Sequence, residues 1–223
     1  MRNLLRFYRL HFLRRLWFLP CTLVWTFFAL NGFFAENNVI AFVDPMETGL
    51  MIPAFVPCIF LFQNSAEIEF SQCYGFPLRH LCLAYSLPYY LYSLVGMVGA
   101  VWLFPLDLAG VTAQGRWIIL LTGAVNLTFA VVLAVFVRLV VRNLFGALGL
   151  SMVLFYGFIL NLYSPSYPGA YYRVGNPLTA VLRYGLPMEK FYWNRAVYIG
   201  LILLLCIINY LILRQRQFKD SRD

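Results

Sequence analysis

Charge is scarce in this chain, and most of the usual chemical tools are missing with it. Only 12% of its 223 residues are Asp, Glu, Lys or Arg, where a soluble domain carries about a quarter. Lysine occurs twice, as Lys190 after Glu189 and as Lys219 after Phe218. A phosphate-cradling P-loop needs Gly-Lys followed by Ser or Thr, so the chain does not hold its own P-loop ATP site. The two histidines, His11 and His80, assemble neither an HExxH zinc motif nor a Ser/His pair within a bilayer. GxSxG is absent, and the nine acids fall in loops, span ends or tails. No carboxylate is therefore expected inside the membrane, where a proton- or sodium-driven carrier places one. Cys21, Cys58, Cys73, Cys82 and Cys206 show no CxxC spacing and predict neither a disulfide framework nor a metal site. No catalytic, cofactor-binding or metal-ligating residues are expected, and the chain is read as a non-enzyme.

What is abundant is apolar surface. Hydrophobic residues make up 62% of the chain, and the mean hydropathy is +0.74. A bilayer core of roughly 30 Å takes about 20 apolar residues per helix, and six runs approach that length: Trp17 to Ala35, Thr48 to Ser65, Leu81 to Phe104, Trp117 to Val137, Leu144 to Tyr163 and Asn194 to Leu213. None alternates as a barrel strand does, so helices are the way to satisfy the backbone in lipid. The fold class expected is an all-α integral membrane protein, a single transmembrane domain over residues 1–223. The first run follows an Arg-rich leader without a small-residue cleavage motif and reads as a retained helix.

Basic residues near helix ends resist translocation, so their distribution orients the chain. With the N-terminus inside, twelve Lys or Arg residues fall in cytoplasmic segments and five (Arg116, Arg173, Arg183, Lys190, Arg195) in outer ones. The first outer loop, Glu36 to Glu47, has Glu36, Asp44 and Glu47 and no base. Both termini are expected in the cytoplasm, with the protein multi-pass in the cell membrane. The net charge of +8 follows from this bias and from attraction to anionic lipid head groups, without nucleic acid.

Three segments stand out between and before the runs. Residues 1–16 place Leu5, Tyr8, Phe12 and Leu16 at helical spacing among arginines, the pattern of an interfacial helix or of a plain basic leader. Residues 67–80, the core of the most polar cytoplasmic stretch, interleave Glu67 and Glu69 with Ile68 and Phe70 and then break at Gly75-Phe76-Pro77. That piece is either a partner-docking element or an ordinary turn. Residues 164–193 are far longer than a tight connection needs. They open on turn residues, then offer a helix start at Asn176-Pro177-Leu178-Thr179 with an apolar stretch to Gly185. Tyr167, Tyr171, Tyr172, Tyr184, Tyr192 and Trp193 crowd this outer segment as an interfacial belt does. Inside the runs the polar residues are neutral: Asn31, Asn126, Thr128, Ser151, Asn161 and Asn209. Their expected role is hydrogen bonding between helices.

These features together resemble the permease subunits of ABC-2 type ABC transporters. The basic segment before the first run looks like that family's interfacial connecting helix. Glu67, Glu69 and Phe70, followed by Gly75, Pro77, Leu78 and Arg79, look like its coupling helix, which docks on the ATPase. Asn176, Pro177, Leu178 and Thr179, with Arg183 downstream, look like its N-P-L-T motif in the outer re-entrant helices before the last span. The resemblance implies a non-catalytic permease subunit that exports a hydrophobic or amphipathic substrate such as a peptide, lipid or drug. ATP and Mg would sit on a separate ATPase subunit, and a second permease would complete the pathway as a homodimer or heterodimer among the membrane lipids. A membrane scaffold or immunity-type interaction protein without a transport cycle is the alternative.

Overall fold

A computed structural model describes residues 39–48, 55, 58–59, 78–104, 106, 110–141, 143–158 and 175–220. Among the described residues every regular element is a helix. They are α1 (Val39–Thr48), α2 (Leu78–Leu103), α3 (Ala113–Val140), α4 (Leu144–Phe158), α5 (Pro177–Tyr184) and α6 (Met188–Asp220). Three of them, α2, α3 and α6, are long and apolar enough to cross a membrane. At 1.5 Å per residue their 26, 28 and 33 residues reach about 39, 42 and 50 Å. They correspond to the third, fourth and sixth apolar runs. The fifth run is helical from Leu144 to Phe158, 15 residues, and the rest of it lies outside the described residues. So do the first run and most of the second, as well as the leader helix expected over residues 1–16.

α3 is the central helix. Over its apolar window 72% of it is buried within the chain, against 28% for α2 and 17% for α6. Thr112 starts it, with an extended backbone and a side chain that accepts from Gly115 N at 3.2 Å, which satisfies one of the donors a helix start leaves open. α2 runs antiparallel to α3. Near the middle Tyr90 Oη meets Thr128 Oγ1 at 3.1 Å, and at the far end Arg116 donates to the Val101, Trp102 and Phe104 carbonyls. Arg116 thus sits where a helix C-terminus favours a cation. α6 runs parallel to α3: Arg195 meets Thr122 and Asn126, Tyr198 packs edge-on against Phe129 with ring centroids 5.0 Å apart, and Asn209 Nδ2 donates to Val132 O at 3.1 Å. α4 folds back along α3, burying Ala147 and Ser151. These two small residues, one helical turn apart, let α4 approach α3 closely, whereas a Cβ at Gly96 in α2 would meet nothing among the described residues.

Two expectations are revised. The stretch read as the first outer loop, Glu36 to Glu47, is helical from Val39 onward, because its apolar residues pack against α3 and α5. The last span begins at Met188, not at Asn194, so the final residues of the 164–193 segment belong to α6. Asn194 and Arg195, at the start of the sixth run, lie inside the helix with both side chains buried.

Candidate functional site

α5 begins on local chemistry. Pro177 occupies a first-turn position, where its fixed φ suits a helix and its missing N–H costs nothing. Gly185 ends the helix in the left-handed region, at φ 63 and ψ 31, a conformation that glycine adopts without steric cost. What α5 lacks is a cap of its own, since the Asn176 side chain makes no capping hydrogen bond.

That role falls to a carboxylate from α1. Glu47 is fully buried. Its Oε1 accepts from Leu178 N at 3.0 Å and from Thr122 Oγ1 at 2.8 Å. Its Oε2 accepts from Thr179 N at 2.9 Å and from Thr179 Oγ1 at 2.7 Å. Four donors converge on two oxygens, as a buried carboxylate requires, and the charge sits at the positive end of a helix.

The cluster continues through Thr122 into α6. Arg195, 2% exposed, donates through Nη1 to Thr122 Oγ1 at 3.2 Å and to Asn126 Oδ1 at 2.6 Å. Its other nitrogens reach Asn194 Oδ1 at 3.0 and 2.6 Å. The guanidinium also lies 4.8 Å from the Tyr198 ring centroid, a cation–π distance. Asn126 Nδ2 closes the circuit by donating to Glu47 O at 2.9 Å and to Gly175 O. Asn176 Nδ2 donates to Asp44 Oδ1 at 3.2 Å. Four helices, α1, α3, α5 and α6, are thereby joined at one polar junction.

The junction has a defined level in the bundle. Thr122 and Asn126 lie about 14 and 20 Å along α3 from its first residue, at 1.5 Å per residue. Because α6 runs parallel to α3 and only three residues separate it from the end of α5, α5 runs back from that level towards the end where both long helices start. That end carries exposed aromatics: Trp102 and Trp117, packed edge-on at 5.8 Å, and Tyr184, Tyr192 and Trp193. Tyr and Trp favour a membrane–water interface.

Of the motif residues singled out in the sequence, Asn176, Pro177, Leu178 and Thr179 come together here, all buried. Arg183 is exposed in the last turn of α5, away from the junction. Leu78 and Arg79 open α2, and Glu67, Glu69, Phe70, Gly75 and Pro77 lie outside the described residues. The reading that kept ionisable groups out of the interior is corrected: Glu47, just before the second apolar run, and Arg195, the second residue of the sixth, are both buried, and their places at run ends disguised them. The signal available was Thr122 and Asn126, two polar residues one helical turn apart inside a long apolar run. No family model, no curated protein and no solved structure matches this chain.

Proposed function

We propose that the chain is the permease subunit of an ATP-driven transporter, with ATP hydrolysed on a separate ATPase subunit. The observation that supports this reading most is the buried start of α5. The N-P-L-T residues open a short helix that turns back from the last span, and they are tied to α1 by Glu47, which Thr122 and Asn126 in turn join to the long helix α3. On this reading α5 is an outer re-entrant helix in a six-span, multi-pass protein of the cell membrane, with both termini in the cytoplasm.

The reading supplies a mechanical route. The coupling segment around Glu67 to Arg79 leads directly into α2, whose first turn holds Leu78 and Arg79. α2 crosses to the end where Arg116 clasps its last carbonyls. Closure of the ATPase pulls on the coupling segment, α2 carries the displacement across the bilayer, and α3 passes it to the junction that holds α5. Reorientation against a second permease subunit then opens a path for a hydrophobic or amphipathic substrate, with export the direction the resemblance implies.

The test is affinity purification of the full chain from its own membranes in mild detergent. An ATPase subunit should co-purify and hydrolyse MgATP, and replacing Glu67, Glu69 and Arg79 together should uncouple that hydrolysis. Recovery of the chain without any ATPase, or hydrolysis unchanged by the triple replacement, would overturn the proposal.

A further inference from the structure

We propose that α5 is a hinged helix whose docked end is held shut by a latch, the Glu47 carboxylate, with the Asn176–Asp44 and Asn126–Gly175 bonds as lesser ties beside it. The inference deepens the transporter reading, on which it rests only for the purpose of the movement. Three observations carry it. The first-turn donors of α5 are satisfied in trans by α1, while the local cap residue Asn176 makes no capping bond, so the helix start and its docking depend on the same side chain. Burial is confined to the docked part, Pro177 to Val181, while Leu182, Arg183 and Tyr184 are exposed. At the other end α5 joins α6 through Gly185, Leu186 and Pro187, and Gly185 has a positive φ with open space around it. One end is pinned and the other is a pivot.

The latch is specific to an ionised carboxylate. Leu178 N and Thr179 N can only donate, and both hydroxyls donate to the same two oxygens. An amide in place of the carboxylate turns an NH2 group towards donors whichever way it is oriented. Glu47→Gln therefore keeps the shape and removes the grip. When α5 releases, the buried side of its first turns, including Ala180 at 2% exposure, meets water.

The experiment places a reporter cysteine at Ala180 in the full-length chain, held in nanodiscs of phosphatidylethanolamine and phosphatidylglycerol. Labelling by a hydrophilic maleimide is timed, and the labelling of the parent chain's own cysteines is subtracted. A second reporter at Ala147, fully buried between α4 and α3, registers general loosening. Loss of a cap and its docking predicts that E47Q speeds labelling at Ala180 by about tenfold and leaves Ala147 unchanged. Adding Asn176→Ser offers a local cap but also removes the Asn176–Asp44 bond, so it should recover thermal stability only in part while labelling at Ala180 stays fast, because both ties to α1 are then missing. Thr179→Val, a milder change, should give a smaller acceleration. The latch is overturned if E47Q leaves Ala180 protected, if Ala180 and Ala147 accelerate together, or if Asn176→Ser restores protection. Labelling needs neither nucleotide nor partner. Unchanged labelling removes the latch and leaves the transporter reading standing, whereas a missing ATPase removes that reading and leaves the latch.

Discussion

The two halves of α3 hold their neighbours by different physics. Its first half meets α1, α5 and α6 through Thr122 and Asn126, within a junction that also includes Glu47 and Arg195. Its second half packs by shape, with Phe129, Ala130, Val131, Leu133, Ala134 and Val137 all buried in one apolar cluster. Polar groups along that half make only isolated contacts: Thr128 pairs with Tyr90, Arg138 reaches the Val141 carbonyl, Asn209 donates to Val132 O, and among the described residues the Asn209 Oδ1 and the Ser151 hydroxyl have no hydrogen-bond partner. Close packing tolerates a change that keeps volume, whereas a buried charge network tolerates only a change that keeps donors and acceptors matched.

The largest expected effect is at the carboxylate. Glu47→Ala leaves two backbone donors and the Arg195 charge uncompensated, and should lower stability by about 3–5 kcal/mol, read as thermal unfolding in detergent or nanodiscs. A loss under about 1 kcal/mol would dissolve the contrast between the halves. The sharper version pairs a shape-conserving change at the carboxylate with an apolar-for-apolar change in the cluster that also removes the Phe129–Tyr198 ring contact. Glu47→Gln should still cost about 2 kcal/mol through unsatisfied donors, whereas Phe129→Leu should cost less than about 1.5 kcal/mol. Equal costs would mean that both halves are held by packing alone.

Smaller effects refine the boundary. A methyl at Gly123 would run into the Met97 side chain beside the Met46 carbonyl, where α1, α2 and α3 approach. Gly123→Ala should therefore cost about 1 kcal/mol despite its better helix propensity. Gly149→Ala, in open space, should be neutral or stabilising by up to about 1 kcal/mol. The smallest effect is expected at Ser151, where removing an unpartnered hydroxyl with Ser151→Ala should change stability by less than about 0.5 kcal/mol.

Legibility in the sequence follows the range of the interactions. The ends of α5 were readable because Pro177 and Gly185 act on their own backbone. α2 and α3 emerged within four residues of the expected spans because apolar run length is a local property. Glu47 was not readable as a capping residue. It fell in the acid-bearing, base-free stretch from Glu36 to Glu47 that read as an outer loop, and its partners lie 75 to 132 residues away. Arg195 was hidden similarly, since a cation after Trp193 and Asn194 looks like an interfacial anchor until Thr122 and Asn126 are seen against it. Asn126 was correctly read as an interhelical hydrogen-bonding residue, but nothing local pointed to Glu47 O and Gly175 O as its acceptors.

The most direct measurement is a double-mutant cycle between Glu47→Gln and Thr179→Val, followed by thermal unfolding in nanodiscs. If the carboxylate holds α5, the two losses overlap, and the double variant should be more stable than the sum predicts by about 1 kcal/mol or more. Losses that add within about 0.3–0.5 kcal/mol would contradict it, and Glu47 would then stabilise the bundle without gripping α5.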